Sequence, residues 1–292
     1  MRIGPLPSSA LPSATLLLTR ALPHDRLDVV AAEKLFGADG ARTGVAFGAW
    51  DGETLVGVAA AAGRWVKLLA VDEPARRRGV GSALLAAVRV SAPPGAKLRL
   101  FDHPGNYLSP GLDLRYAAGH AFALARGFRA GADVDNLRAA LADNPLVDPA
   151  RAQALADRAR SAGYEIRRAT DTDRAPLLTF VEQAFAKVWA FEVARALDGP
   201  RRAVHVAFRD GQPVAFAAAD GNNRGLGWFG PAGTAPAHRA RGLGEALLIP
   251  CLLDVRDLPD GGVIAWVGPK PFYARACGAV DDRTFRSYEE PA

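Results

Sequence analysis

The feature that most constrains this chain is an internal repeat built around two glycines. Arg76-x-x-Gly79-x-Gly81, followed by Ala83-Leu84-Leu85, returns as Arg239-x-x-Gly242-x-Gly244, followed by Ala246-Leu247-Leu248, and every matching pair is 163 positions apart. In a chain of 292 residues that spacing means two copies of one domain-sized unit, not a solenoid of short repeats. Other matches surround it. Asp51-Gly52 lies between apolar runs at 45–50 and 55–59, and Asp210-Gly211 lies between runs at 204–209 and 214–218. Asp-Gly between β-type runs predicts a hairpin, because glycine accepts the positive φ of such turns. A further strand is predicted after each hairpin, at 66–71 and 226–230.

Upstream, Arg20-Ala21-x-x-x-Asp25-Arg26 is matched by Arg168-Ala169-x-x-x-Asp173-Arg174. This predicts strands at 16–18 and 164–166, each followed by a helix, at 27–36 and 175–186. Downstream, Phe122-x-x-x-x-Gly127 parallels Tyr273-x-x-x-x-Gly278 at a separation of only 151, so the first copy carries about twelve extra residues after its glycine segment. The stretch 137–157 reads as the tail of copy one plus a connector. The domains are therefore expected at 1–145 and 146–292, with the boundary falling within 140–163.

Composition narrows the function. Nearly half the residues are hydrophobic, enough for two cores. Cys251 and Cys277 form no disulfide framework, and no Cys/His spacing fits a structural metal. A reducing cytoplasm, and no metal, is the expectation. No apolar run reaches the roughly 18 residues of a membrane span, and Pro12, Ser13 and Thr15 interrupt the apolar N-terminal stretch. The net charge of +5 comes from arginine scattered through the chain without a basic stripe, so neither nucleic acid nor membrane is expected as a partner.

The glycine segments have a direct physical reading. Each stands after a strand and opens a helix, where glycine lets the backbone approach a ligand and the first helical N–H groups point outward with the positive end of the dipole. That is a pyrophosphate cradle, to which the arginines can add charge-assisted bonds. No Gly-Lys-Ser/Thr follows, which excludes a Walker loop, and Gly-x-Gly-x-x-Gly is absent there, which disfavours a dinucleotide fold.

At these residues the chain resembles the GNAT family of N-acetyltransferases, whose acetyl-CoA loop is Gln/Arg-x-x-Gly-x-Gly/Ala after the fourth strand. The stretches 71–85 and 234–248 are similar to it, and the order of elements fits both halves. The best likeness is to tandem-GNAT acyltransferases. The resemblance implies an α/β (α+β) fold: two tandem GNAT domains, each a mixed, mostly antiparallel sheet flanked by helices, in a monomer whose halves form a pseudo-dimer. It implies acetyl-CoA bound by Val71, Arg76, Arg77, Arg78, Gly79, Val80 and Gly81, and by Thr234, Arg239, Ala240, Arg241, Gly242, Leu243 and Gly244. The implied reaction is direct attack by the primary amine of a small molecule on the thioester, with backbone N–H groups near 69–71 and 232–234 holding the carbonyl. A non-catalytic acyl-CoA-binding regulatory module and a protein lysine acetyltransferase remain as alternatives.

In the family a tyrosine on the helix after the glycine loop protonates the departing thiolate. Pro271-Phe272-Tyr273 is similar to that segment and makes Tyr273 the candidate acid, whereas the first copy aligns Phe122 there. Catalysis is therefore expected in the C-terminal copy. Asp220 and Glu245 are candidate bases, and His205 is read as structural. The extra residues of copy one include Asp102, His103, Asn106, Tyr107, Arg115 and Tyr116, a long polar and aromatic loop expected to bind the acceptor or to pack at a domain interface.

Overall fold

In the computed structural model, which describes residues 1–40 and 42–291, the chain divides into two compact units. The first comprises Met1–Val134 together with the C-terminal stretch from Thr284, and the second comprises Asp135–Arg283. The first contains β1 (Arg2–Pro5), α1 (Leu11–Ala21), α2 (Leu27–Phe36), β2 (Val45–Asp51), β3 (Thr54–Ala62), β4 (Trp65–Val71), α3 (Val80–Ser91), β5 (Arg99–Leu100), β6 (Leu112–Asp113) and α4 (Ala117–Ala125). Strand β7 (Arg129–Arg138) begins in it and ends in the second unit. The second continues with α5 (Pro149–Ser161), β8 (Glu165–Arg168), α6 (Arg174–Ala184), α7 (Lys187–Leu197), β9 (Val204–Arg209), β10 (Gln212–Ala219), β11 (Phe229–Thr234), α8 (Leu243–Asp254), β12 (Val263–Ile264) and α9 (Lys270–Cys277). Strand β13 (Val280–Glu289) begins in the second unit and ends in the first.

The two sheets follow one plan. In the first unit β1, β2, β3 and β4 pair antiparallel in that order, β5 joins β4 in parallel, and β13 lies antiparallel to β5. In the second, β8, β9, β10 and β11 pair antiparallel, β12 joins β11 in parallel, and β7 lies antiparallel to β12. This is the mixed, mostly antiparallel α/β architecture expected. The division differs from a cut near 145. Each parallel strand is edged by a strand from the other half of the sequence, Tyr288 opposite Leu100 and Arg138 opposite Val263, so 135–145 pack with the second unit and 284–291 with the first.

Strand periodicity places the cores. Ala207, Ala215 and Ala217 turn to the face covered by α8, while Val204, Val206, Phe208, Phe216 and Ala218 turn to α6 and α7. In the first unit Val80, Leu84 and Val88 of α3 and Ala123 of α4 pack against Ala59, Ala61 and Val66.

The segment 16–18, expected as a strand, lies inside α1. Its buried residues Ala14, Leu17, Leu18 and Ala21 follow the three-four spacing of a helix face, which a short apolar triplet read alone cannot reveal. The Arg20/Arg168 match therefore joins a helix end to the end of β8. The true counterpart of β8 is β1, and β1 with β8, α1 with α6, and α3 with α8 all stand 163 apart at their first residues. The strand expected at 226–230 begins instead at Phe229, because 220–228 form a loop. Among the described residues no helix is long and apolar enough to cross a membrane.

Candidate acyl-CoA site

The glycine loops are built alike, residue by residue. After β4, Arg77 takes φ 61° and Gly79 φ 81°, and α3 starts at Val80; after β11, Ala240 takes φ 59° and Gly242 φ 78°, and α8 starts at Leu243. Positive φ at Gly79 and Gly242 costs glycine nothing and would strain any side-chain-bearing residue. Arg76 Nε donates to Val71 O at 3.1 Å, and Arg239 Nε donates to Thr234 O at 3.2 Å. These two arginines brace the loop against the strand end. Val80 and Leu243 are buried and anchor the first helical turn on the sheet. Arg78 pairs with Asp51 at 2.8 Å, which leaves Arg77 and Arg241 as the loop guanidinia with neither an ion pair nor a side-chain hydrogen bond among the described residues.

The second glycine of each loop sets the spacing to the following helix. A Cβ on Gly81 would lie 3.2 Å from the Phe122 ring, and one on Gly244 would lie 3.4 Å from the Phe272 ring. Phe122 is thus the counterpart of Phe272, not of Tyr273, and the place of Tyr273 in the first unit falls to the next residue, the fully buried Ala123. The first unit has no phenol at this position on either alignment.

Beside each loop the sheet parts. Strands β4 and β5 pair only at Trp65–Arg99 and Val66–Leu100, with a last rung from Phe101 N to Val66 O at 2.8 Å. Strands β11 and β12 pair at Phe229–Ile264, with a last rung from Ala265 N to Phe229 O at 3.4 Å. Past these points the edge of 67–71, and that of 230–234, takes no further rung from its parallel neighbour. Each strand also bulges there. Lys67 is the extra residue between the Ala60–Leu68 and Ala61–Val66 pairs, and Gly230 with Pro231, joined by a cis peptide, stand opposite Ala218.

Tyr273 lies where β11 and β12 part. Its ring stands edge-on to Phe229 at 6.2 Å and to Phe272 at 4.9 Å. Burial raises its pKa to about 12, so the phenol keeps its proton at neutral pH. The two carboxylates expected as bases are engaged elsewhere. Asp220 is buried and accepts from Gly225 N at 2.7 Å and Gly227 N at 3.0 Å, which shapes the 220–228 loop. Glu245 pairs with Arg151 of α5. Both carboxylates hold local structure.

In the first unit the long loop is stitched to α2 and its surroundings. Asn106 accepts from Lys34 Nζ at 2.8 Å and donates to the carbonyls of Glu33, Gly37 and Ala38. His103 Nε2 meets Asp39 Oδ2 at 2.8 Å, and burial together with the Lys67 charge lowers its pKa to about 4. Asp102 pairs with Arg99, Arg115 with Asp113 at 2.7 Å, and the Tyr116 hydroxyl donates to Asp25 at 2.8 Å while accepting from His24 N. Tyr107 is buried. His205 bonds Asp254 at 2.9 Å, in keeping with a structural role. A polar cleft of about 450 Å³, lined by Lys97, Arg99, Arg129, Ser287, Glu289 and Glu290 among others, also belongs to the first unit but includes no residue of either glycine loop.

Sequence reasoning missed Arg158. Helix α5 has no counterpart in the first unit; its Asp148 cap and the Arg151–Glu245 pair hold it beside α8, with Arg158 Nη2 3.6 Å from where a Cβ on Gly242 would sit. No local pattern marks that residue, because the placement depends on how α5 packs.

Residues 14–98 match the sequence model of the acetyltransferase (GNAT) family. No curated protein matches the chain. Solved structures share its fold from end to end. A region of a fungal multi-domain GH3 β-N-acetylglucosaminidase, described as a GCN5-related glucosamine N-acetyltransferase, superposes with TM-score 0.78 at 19% identity over 99% of this chain, which spans 38% of that protein. A tandem GNAT protein of the clavulanic acid pathway gives 0.66 at 20% identity over 100% of this chain and 99% of its own. A GCN5-related N-acetyltransferase from Sphaerobacter thermophilus gives 0.66 at 17%, over 99% and 95%.

Proposed function

For a chain that carries the GNAT acetyltransferase fold in tandem, we propose an acyl-CoA-dependent N-acyltransferase that moves an acetyl group from acetyl-CoA to the primary amine of a small molecule. The observation that carries the reading is the equivalence of the two glycine loops, each beside a parted strand pair, with a protonated phenol at the second. Bound acyl-CoA supplies the activated thioester. The first turn of α8 with Arg241 receives the pyrophosphate, and the N–H groups at 232–234 face the charge that develops on the thioester oxygen. Tyr273 gives its proton to the departing sulfur as the acceptor's C–N bond forms and the C–S bond breaks; the proton shed by the nitrogen passes to solvent. With Ala123 in its place, the first unit lacks this acid, so turnover is assigned to the second.

The test is free-thiol release with acetyl-CoA and a panel of amines: glucosamine, other amino sugars, amino acids, aminoglycosides and a lysine peptide. Tyr273→Phe is expected to lower kcat about a hundredfold with acetyl-CoA binding retained, and Gly244→Asp to abolish binding at the second loop. Full activity in both variants would remove the assignment. Acyl-CoA binding without thiol release from any amine would favour a regulatory module, and release with the peptide alone a lysine acetyltransferase.

A further inference from the structure

The polar cleft of the first unit carries more positive charge than its own residues consume. Its volume of about 450 Å³ is that of a metabolite site, and Lys97, Arg99 and Arg129 line it together with Glu289 and Glu290. All of these residues belong to Met1–Val134 or to the stretch from Thr284.

Strand order and alternation build the cleft. Strand β13 lies between β5 and β7. Leu100 and Tyr288 turn into the core under α3, so Arg99, Ser287 and Glu289 turn to the other face. Arg286 bonds Asp133, and a Cβ on Gly131 would lie 2.4 Å from Ser287 Oγ, so β7 runs against β13 and brings Arg129 level with Glu289. Glycine at 131 leaves the Ser287 hydroxyl its place in the wall. Lys97 and Arg129 therefore stand on the two rims, their backbones about two strand spacings, roughly 10 Å, apart.

The acids of the cleft are already engaged. Glu289 accepts from Arg64 at 2.8 Å through Oε1 and from Arg99 at 3.3 Å through Oε2. Glu290 takes Arg89 and, at 2.8 Å, the Leu98 N–H. Asp102 holds Arg99 as well. Arg64, Arg89 and Arg99 thus balance Asp102, Glu289 and Glu290. Lys97 and Arg129 are exposed, and neither has an ion pair or a side-chain hydrogen bond among the described residues. Two like charges on facing rims focus the field between them and draw a counter-ion of matching charge. Arg129 can grip a carboxylate or phosphate through two parallel bonds, Lys97 acts as a point charge, and Ser287 adds a hydroxyl.

We propose that this cleft binds a small-molecule dianion, a phosphomonoester or a dicarboxylate, between Lys97 and Arg129. The site is separate from both glycine loops, and the inference does not rest on the acyl-CoA reading. Bound there, the ligand links β5 to β7 across β13, the strand that closes this unit's sheet from the far end of the sequence.

The test is calorimetric titration of the full-length chain with glucose 6-phosphate, with glutarate, and with acetate as the monoanion, at about pH 8, where the phosphomonoester is fully dianionic. Either dianion binding more tightly than acetate supports the site, and the tighter of the two names the class. Lys97→Gln and Arg129→Gln are each expected to weaken that dianion about tenfold, and together to abolish its binding, with thermal unfolding unchanged because neither side chain bonds to the protein. The pair Arg77→Gln with Arg241→Gln is expected to leave it unchanged, which separates the cleft from the glycine loops. Dianions that bind no better than acetate, binding that survives loss of both Lys97 and Arg129, or binding lost with Arg77 and Arg241 instead would overturn the proposal.

Discussion

At the residue scale, His103 shows how an unusual side chain is tolerated when its surroundings decide its charge. It is fully buried, bonded to Asp39 and close to Lys67, and its pKa of about 4 lies well below the ordinary histidine value of about 6.5. The folded state therefore refuses a proton that the unfolded chain accepts. The contribution is complete above pH about 6.5, is lost as pH falls, and levels off below about 4, amounting to roughly 3 kcal/mol across that window. Chemical denaturation of wild type and His103→Gln at pH 7, 5.5 and 4.5 checks it: the wild type should lose stability more steeply. Parallel pH curves for the two proteins would show that the ring does not stay neutral in the fold. The phenol of Tyr273 obeys the same rule of burial with the opposite sign for an acid, which keeps it a proton donor.

At the element scale, what the sequence revealed was what local chemistry decides. Both Asp-Gly hairpins form as read, at β2–β3 and β9–β10, and both glycine loops fall between strand and helix. Helix α1 was hidden because Leu16, Leu17 and Leu18 taken alone fit either period. The bulges at Lys67 and Gly230–Pro231, and the match of Ala123 to Tyr273, depend on strand register and on contacts between distant elements, which no local pattern encodes. Helix α5 belongs to this second kind. Its start is fixed by Asp148, which accepts from Ala150 N at 2.8 Å and Arg151 N at 3.3 Å, and its buried Leu155 and Ala159 seat it in the second unit's core. Asp148→Ala should cost about 1 kcal/mol. Because α5 places Arg151 on Glu245 and Arg158 near Gly242, the same change should weaken acetyl-CoA binding at the second loop more than at the first. Equal weakening at the two loops, read by titration in Gly81→Asp and Gly244→Asp backgrounds, would sever that link.

At the scale of the whole molecule, the repeat is closed by exchange. Each unit draws the strand beside its parallel strand from the other half of the sequence, so neither half of the chain is a complete domain. The last residues show what this means for the first unit. Phe285 and Tyr288 are fully buried there, Tyr288 bonds His120 at 2.7 Å, Arg286 forms a two-pronged pair with Asp133, and Glu289 pairs with Arg64 and Arg99. Burying the two aromatic side chains alone is worth roughly 2–3 kcal/mol each, and losing β13 would expose the backbone edge of β5. Truncation after Arg283 removes residues remote in sequence from the first glycine loop, yet it should loosen the unit that carries that loop. Hydrogen exchange should show faster opening across β4 and β5, with α8 and β10 changed far less. Uniform loss of protection in both units would mean that they unfold as one, and protection unchanged in β4 and β5 would mean that the first unit holds its sheet without the exchanged strand.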